Sequence, residues 1–273
     1  MTCQDETTFL TPVDKHPVMA LQISSALSEA GHRLVSRTGA ILLGAFLVLM
    51  IGFQSMLNTL IAVVYADMGF EEISSALPLV LDLPLSVAGA GVALGTILSA
   101  YLSIVAFRTF IAGARDSFPD DAFTRNVPLA MVNLAVGGFV YGLLVFVGSL
   151  LLLVPGIFAY VVFIFMAPYI IDEDRNFVSA LKASYRLTEG ERLPLFGLLV
   201  IVVAGAGLVG GVVGFVGALA LPGAFSQLLT VLIQIPVSLY VTAVMAVAFQ
   251  QLRDDDGTAP SSPSGVDTPS TTA

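Results

Sequence analysis

The sequence predicts an all-α integral membrane protein with six transmembrane helices, and its composition and long uncharged stretches are the observations that predict it. The chain has 273 residues, of which 56% are hydrophobic and only 11% are charged. Because soluble proteins carry about 25% charged residues, this chain has too few charges to cover a water-exposed surface. Disordered and coiled-coil proteins are excluded as well, since both classes require high polarity or charge.

Four uncharged runs define the predicted spans. They contain no Asp, Glu, Lys or Arg and cover residues 38–66, 83–107, 126–171 and 193–252. A helix needs about 20 apolar residues to cross the hydrocarbon core of a bilayer. The two shorter runs therefore hold one span each, and the two longer runs hold two each. The predicted spans are about 39–64, 84–107, 129–147, 150–171, 194–219 and 225–249.

Turn residues divide the two long runs. In the last run the break is placed at 221–223, because proline and glycine together oppose a continuous helix. In the 126–171 run there are two candidate breaks, Gly148-Ser149 and 154–156. We place the break at Gly148-Ser149, because the later break would leave a segment rather short to cross the membrane. Pro155 then falls in the first turn of the next helix.

The basic residues predict the orientation. All of them fall on one side of the predicted spans, whereas the opposite side carries acidic residues only. The positive-inside rule therefore predicts a protein of the cell membrane with both termini in the cytoplasm. The basic residues are Lys15, Arg33, Arg37, Arg108, Arg115, Arg125, Arg175, Lys182, Arg186, Arg192 and Arg253. The acidic residues of the opposite side are Asp67, Glu71, Glu72 and Asp82.

The rest of the sequence and its composition limit the possible domain boundaries and binding partners. Residues 1–17 are predicted to be a flexible N-terminus without a signal peptide, 18–252 the transmembrane domain, and 253–273 a disordered acidic Ser/Thr/Pro tail. The single cysteine, Cys3, excludes an internal disulfide. A net charge of -9 argues against nucleic-acid binding, which requires clustered Lys and Arg. The acidic, lysine-poor composition is typical of a prokaryotic protein.

The segment 175–189 has the pattern of an amphipathic helix lying along a membrane surface, with apolar side chains on one face and basic ones on the other. The alternative is a helix packed on its own bundle with its basic face in solvent. Its apolar face comprises Phe177, Val178, Leu181 and Tyr185. The candidates for contact with lipid headgroups are Arg175, Lys182 and Arg186.

Two further segments suggest a repeat. Residues 18–37 have a similar amphipathic pattern, and residues 108–127 have a weaker one that Pro119 interrupts. Each of the three segments precedes a pair of predicted spans. The sequence therefore suggests three units, each an interfacial helix followed by a transmembrane hairpin, as internal repeats are common in membrane folds.

A run of motifs between 150 and 190 resembles a known family. Leu151-Leu152-Leu153-Val154-Pro155-Gly156-Ile157 precedes an apolar span, an acidic step at 172–173, and then Ala180-Leu181-Lys182-Ala183-Ser184. This resembles a prokaryotic superfamily that includes the membrane domain of glycerophosphoryl diester phosphodiesterases. In those enzymes catalysis belongs to a separate soluble domain, so the resemblance implies a membrane fold and no activity here. The residues that match the motif are Pro155, Gly156, Glu173, Ala180, Leu181, Ser184 and Gly190.

The charged residues and histidines do not form the pattern of a catalytic, cofactor or metal site in the sequence. His16 and His32 lie outside the spans and lack the spacing of metal ligands. The acidic cluster 172–174 could hold a cation through its oxygens, but we interpret it as capping the helix that begins near 175. The predicted spans contain no Asp, Glu, Lys, Arg or His, which argues against an ion-coupled transporter or proton pump.

Uncharged polar residues and glycines do occur within the spans. The amides indicate hydrogen bonding between helices, with a small polar pocket or solute path as the alternative. Glycines at four-residue spacing predict close helix packing, and the sequence does not separate internal packing from a homo-oligomer face. The amides are Gln54, Asn58, Asn133, Gln227 and Gln234. The glycines are Gly91, Gly95, Gly138, Gly142, Gly207 and Gly211.

These observations lead to two hypotheses for function. The first is a non-enzymatic membrane module that organises lipids or a membrane-protein partner, indicated by the basic amphipathic segments and the absence of catalytic residues. The second is a transporter or permease for a neutral or lipid-like solute, indicated by the amides within the spans. Convergence of the amides on one cavity would favour transport, whereas scattered pairing would favour the module.

Overall fold

The computed structural model describes residues 21–72, 77–221 and 223–255, and within them the chain forms α-helices and connecting turns without strands. Cys3, His16 and Pro222, with the predicted termini, lie outside the described residues. The helices are α1 (Ile23–Leu34), α2 (Arg37–Asp67), α3 (Leu85–Ile111), α4 (Val127–Leu151), α5 (Leu153–Val162), α6 (Met166–Asp172), α7 (Phe177–Leu187), α8 (Arg192–Ala220) and α9 (Gly223–Asp255).

Six helical segments are long and apolar enough to cross a membrane, which confirms the predicted number. They are Arg37–Asp67, Leu85–Ile111, Val127–Leu151, Leu153–Asp172, Arg192–Ala220 and Phe225–Asp254. In most of them few residues are buried inside the protein. Their large apolar side chains therefore face outward, as a bilayer environment requires.

One of the two predicted breaks lies at its turn residues, and the other is displaced along the chain. The last run is divided where predicted, because α8 ends at Ala220 and α9 begins at Gly223. The other break lies at Leu152, which adopts an extended conformation, rather than at Gly148-Ser149. The glycine there serves packing instead, since a Cβ on Gly148 would lie 2.9 Å from the backbone nitrogen of Gly156. Pro155 does lie in the first turn of α5.

The connection between α3 and α4 does not form the third amphipathic helix. Residues 112–126 are turns and bends. Gly113 (φ +62°) and Asn126 (φ +42°) adopt left-handed conformations, which a continuous right-handed helix excludes. The α4–α5 hairpin therefore lacks a preceding amphipathic helix, whereas α1 precedes α2–α3 and α7 precedes α8–α9.

The buried core lies at one end of the bundle, where α1, α3, α6, α7, α8 and α9 meet. Its largest fully buried side chains include Phe110, Phe165, Ile170, Leu195 and Phe249. We call this end, which also carries Arg33, Arg108, Arg125 and Arg253, the basic end. The α4–α5 hairpin extends away from it, and Val154 near the hairpin tip lines a groove with Leu193 and Phe196 of α8.

Candidate functional site

Three of the five predicted amides form one network between α2 and α9. The side chain of Asn58 is buried and accepts a hydrogen bond from Nε2 of Gln54 at 3.0 Å. Nδ2 of Asn58 donates to Oε1 of Gln227 at 3.1 Å and to the carbonyl oxygen of Pro78 at 2.7 Å. The network ties two helices to the segment between α2 and α3.

The other two amides lie elsewhere. Oδ1 of Asn133 accepts from the backbone N–H of Phe177 at 3.1 Å, joining α4 to the start of α7. Gln234 is exposed and lines a groove of about 350 Å³ with Ser99 and Ser103 of α3. The five amides therefore occupy three separate places and do not converge on one cavity.

The acidic cluster 172–174 binds arginines, so its assignment as a helix cap is wrong. Asp172 accepts from Arg253 at 2.7 Å, and Asp174 lies 3.4 Å from Nε of Arg125. The cap of α7 is Asn176, whose side chain accepts from the backbone N–H of Ser179 at 2.9 Å. Asn176 immediately precedes the helix and is therefore the residue placed to reach these N–H groups.

Arg108 was expected to follow the second span, but it lies in α3 with only 4% of its surface exposed. Its Nε donates to the carbonyl oxygen of Ile171 at 3.1 Å, and its Nη1 donates to that of Ala122 at 3.2 Å. Apolar residues on both sides of Arg108, including Phe107 and Phe110, were the signal in the sequence that its side chain is buried. This arginine joins α3 to α6 and to the α3–α4 connection.

A second arginine cluster joins α1 to α3. Glu29 of α1 accepts hydrogen bonds from Arg115 at 2.8 Å and from Arg33 at 2.9 Å. The bonds from Arg115 and then from Arg33 hold the pKa of the Glu29 carboxyl below its usual range, because they stabilise its charged form. Arg33 is itself buried and donates to the carbonyl oxygen of Phe110.

The predicted headgroup candidates separate into two kinds. Nη2 of Arg175 lies 2.6 Å from a carboxylate oxygen of Glu173, and its guanidinium carbon lies 4.9 Å from the ring centre of Tyr169, so its charge is paired within the protein. Lys182 and Arg186 are exposed, and neither forms an ion pair with a carboxylate that the structure describes.

The predicted apolar face of α7 lies partly on the surface of the bundle. Tyr185 and Val178 are 42% and 46% exposed, so they are not packed inside the bundle, and their contact with a membrane stays a prediction. The buried face of α7 consists mainly of small residues, since α7 packs closely on α6 and α4. That face comprises Ala180, Ala183, Ser184 and Leu187. The exposed face forms a shallow groove of about 420 Å³, which we call the α7 groove; it is lined by Phe163, Val178, Leu181, Lys182, Tyr185 and Arg186.

Residues of the family motif hold this part of the fold together. Oγ of Ser184 donates to the carbonyl oxygen of Val162 at 2.7 Å and accepts from the N–H of Phe165 at 3.1 Å. It therefore satisfies backbone groups at the break between α5 and α6. Gly190 has φ +91°, which favours glycine in the turn before α8. Ala180 is fully buried.

Only one of the three predicted glycine pairs lies in a close helix contact. A Cβ on Gly95 would lie 2.6 Å from Cδ2 of Phe53, and one on Gly91 would lie 2.7 Å from Met56, so both glycines pack α3 against α2. For the other two pairs, internal close packing is not found in the described part of the chain, because a Cβ there would meet no described atom within 4 Å, and the homo-oligomer face stays a prediction. Those open glycines are Gly138, Gly142, Gly207 and Gly211.

The sequence pattern identified Arg192 only as a basic residue and did not reveal the aromatic contacts of its side chain. Its guanidinium carbon lies 4.8 Å from the ring centre of Tyr185 and 5.3 Å from that of Phe158. The two aromatic residues precede it in the chain by unrelated spacings, so no local motif could have indicated the stacking.

The family comparison covers nearly the whole described bundle. The model of the domain of unknown function DUF7847 matches residues 21–252. The chain belongs to this family. Its matched region begins just before α1 and ends within α9. No curated protein and no solved structure matches the chain. The resemblance to the phosphodiesterase membrane domain stays a prediction.

Proposed function

We propose that the protein is a non-enzymatic module of the cell membrane that organises lipids or a membrane-protein partner. The exposed face of α7 carries the proposal, because Lys182 and Arg186 lie beside an apolar groove and bind no described carboxylate. A surface with apolar and basic character suits the boundary between acyl chains and anionic headgroups. The separation of the amides into three places supports a module over a solute path.

The proposed orientation places both termini and the basic end in the cytoplasm. The four arginines of the basic end bind groups of neighbouring helices and connections there. At the opposite end, the acidic residue Asp67 is the last residue of α2 and Asp82 precedes α3. A reporter that functions only in the cytoplasm should be active when fused after Arg115, Tyr185 or Asp255. Activity of a fusion after Glu72 would contradict the orientation.

Charge reversal on α7 tests the lipid role. Each basic residue near an anionic surface contributes about 1 kcal/mol of attraction, which salt screens. The double variant Lys182→Glu, Arg186→Glu should therefore reduce crosslinking to photoactivatable anionic lipid while the bundle stays folded. Arg37→Glu is the control, because Arg37 is exposed at the start of α2 and away from the α7 groove. Unchanged crosslinking of the double variant would show that α7 is a packing element only.

The groove beside Gln234 favours a second candidate function, a transporter or permease for a neutral or lipid-like solute. Ser99, Ser103 and Thr242 line this groove together with apolar side chains, and polar groups at such positions can bind a solute within a bilayer. Uptake into proteoliposomes that Ser99→Val and Ser103→Val abolish would support transport. Absence of uptake for a panel of neutral solutes would leave the module as the better account.

A further inference from the structure

The stacking of Arg192 leaves part of its guanidinium group without a partner. Phe158 and Tyr185 contact its face, and an aromatic ring attracts a cation without accepting its in-plane N–H bonds. Nε and Nη2 are buried and form no hydrogen bond with any residue that the structure describes. Charged donors in this state are rare in folded proteins, and each one needs an explanation.

An apolar groove begins directly at this arginine. It has a volume of about 410 Å³ and lies between α5 and the first turns of α8. We call it the α5–α8 groove. Its walls besides Arg192 are formed by Val154, Ile157, Phe158, Val161, Leu193 and Phe196. With no other polar side chain in its lining, the groove fits a hydrocarbon chain.

Two further basic residues line the neighbouring α7 groove. They are Lys182 and Arg186, and Tyr185, whose ring Arg192 contacts, lines the same groove. None of these three basic residues forms an ion pair with an acidic residue in the described part of the chain. Arg192 is also the first residue of α8, where the helix dipole favours an anion.

We propose that Arg192 binds the phosphate of a membrane phospholipid whose acyl chain occupies the α5–α8 groove. Arg192 provides the planar donors for the phosphate oxygens, and Lys182 and Arg186 attract the anionic headgroup. The ligand is a lipid rather than free phosphate because the groove beside the arginine has a volume of about 410 Å³ and an otherwise apolar lining, which free phosphate would leave empty. This site rests on the proposed lipid-organising function and gives it one defined binding position.

Retention of individual lipids tests the site. The full chain is reconstituted with phosphatidylglycerol and stripped in detergent, and bound lipids are counted by native mass spectrometry. The wild type should keep one phosphatidylglycerol molecule. Arg192→Gln should lower its occupancy about tenfold, as expected for the loss of a charged hydrogen-bonding partner. Arg37→Gln removes the same charge from an exposed position on α2 and should retain the lipid.

A second variant separates lipid binding from the stability of the stacked arginine. Ile157→Trp fills the groove from a position that is 38% exposed and leaves Arg192 in place, and it should also displace the lipid. If Arg192→Gln lowers the thermal stability while the retained lipid is unchanged, the arginine has a structural role only and the proposal is wrong. Equal loss of lipid in Arg37→Gln would also overturn it, because the effect would then be one of net charge.

Two further experiments identify the ligand. Digalactosyl diacylglycerol carries the same chains without phosphate and should not be retained; equal retention would overturn the assignment of the phosphate. Millimolar inorganic phosphate should not displace the bound lipid, and displacement would overturn the assignment of a lipid ligand.

The failures of the two proposals are distinguishable. If Arg192→Gln retains the lipid while the Lys182→Glu, Arg186→Glu variant loses crosslinking, the site is wrong and the lipid-organising function stands. If neither variant changes lipid contact, both proposals fail.

Discussion

Replacement of Ser184 by alanine tests how the motif serine holds the fold. The Ser184 hydroxyl is fully buried, donates to the carbonyl oxygen of Val162 and accepts from the N–H of Phe165. Ser184→Ala removes both bonds without changing the shape of the packed surface appreciably. Two backbone groups at the break between α5 and α6 then lose their side-chain partner.

The expected loss of stability follows from these two bonds. An unsatisfied buried polar group costs about 1–3 kcal/mol, whereas side-chain hydrogen bonds in membrane proteins average about 0.6 kcal/mol. The site lies at the core of the basic end, so we expect a loss of about 2 kcal/mol. Ser179→Ala is the matched control on the same helix, because the Ser179 hydroxyl only donates to the nearby carbonyl oxygen of Asn176. Its expected loss is below about 0.5 kcal/mol.

Unfolding of the purified protein in mixed micelles measures both variants. The midpoint of the transition should move to lower denaturing-detergent fraction for Ser184→Ala and stay close to the wild type for Ser179→Ala. Equal midpoints for the two variants would refute the argument, because they would show that the break between α5 and α6 does not depend on this hydroxyl.

Two further predictions concern α1 and the α2–α3 contact. The pKa of Glu29 is lowered in the folded protein. The ionised Glu29 carboxylate therefore stabilises the fold above the usual glutamate pKa, and this stabilisation is lost as the pH falls through the folded value. The difference in melting temperature between the wild type and Glu29→Gln should consequently shrink on acidification. Gly95→Ala should destabilise the protein by about 1–3 kcal/mol through overlap with Phe53. Gly142→Ala is the control and should cause no loss of stability. Equal melting temperatures for the two variants would contradict the packing argument.

The spans could be predicted because a membrane constrains each helix separately. An uncharged run of sufficient length must be helical in hydrocarbon, where every backbone group needs an internal partner. Pro155 and the glycine at 223 marked the helix starts correctly for the same local reason. The break at Leu152 lay three residues beyond the predicted one, because the glycine at 148 serves the close approach of α4 to α5, which the local sequence does not show.

The candidate site was predicted only in part. Lys182 and Arg186 could be assigned to an exposed face from helical periodicity, since that depends on one helix. Arg175 could not be distinguished from them, because its contacts with Glu173 and the Tyr169 ring depend on the conformation of the turn between α6 and α7, which helical periodicity does not describe. The same limit applies to Gly142, whose spacing resembles that of Gly95 although it meets no neighbour.

The sequence by itself determined that the chain has six helical segments long and apolar enough to cross a membrane, with its basic residues at their ends or between them, because hydrophobicity and charge act along the chain. Only the tertiary structure decided which basic residues bind groups of the protein itself and which keep donor groups for a ligand. Arg108 and Arg33 are buried against carbonyl oxygens, whereas Arg192 stacks between Phe158 and Tyr185 with N–H groups that pair with no residue in the described ranges. The physical reason is that a guanidinium group takes its partners from helices far apart in the chain.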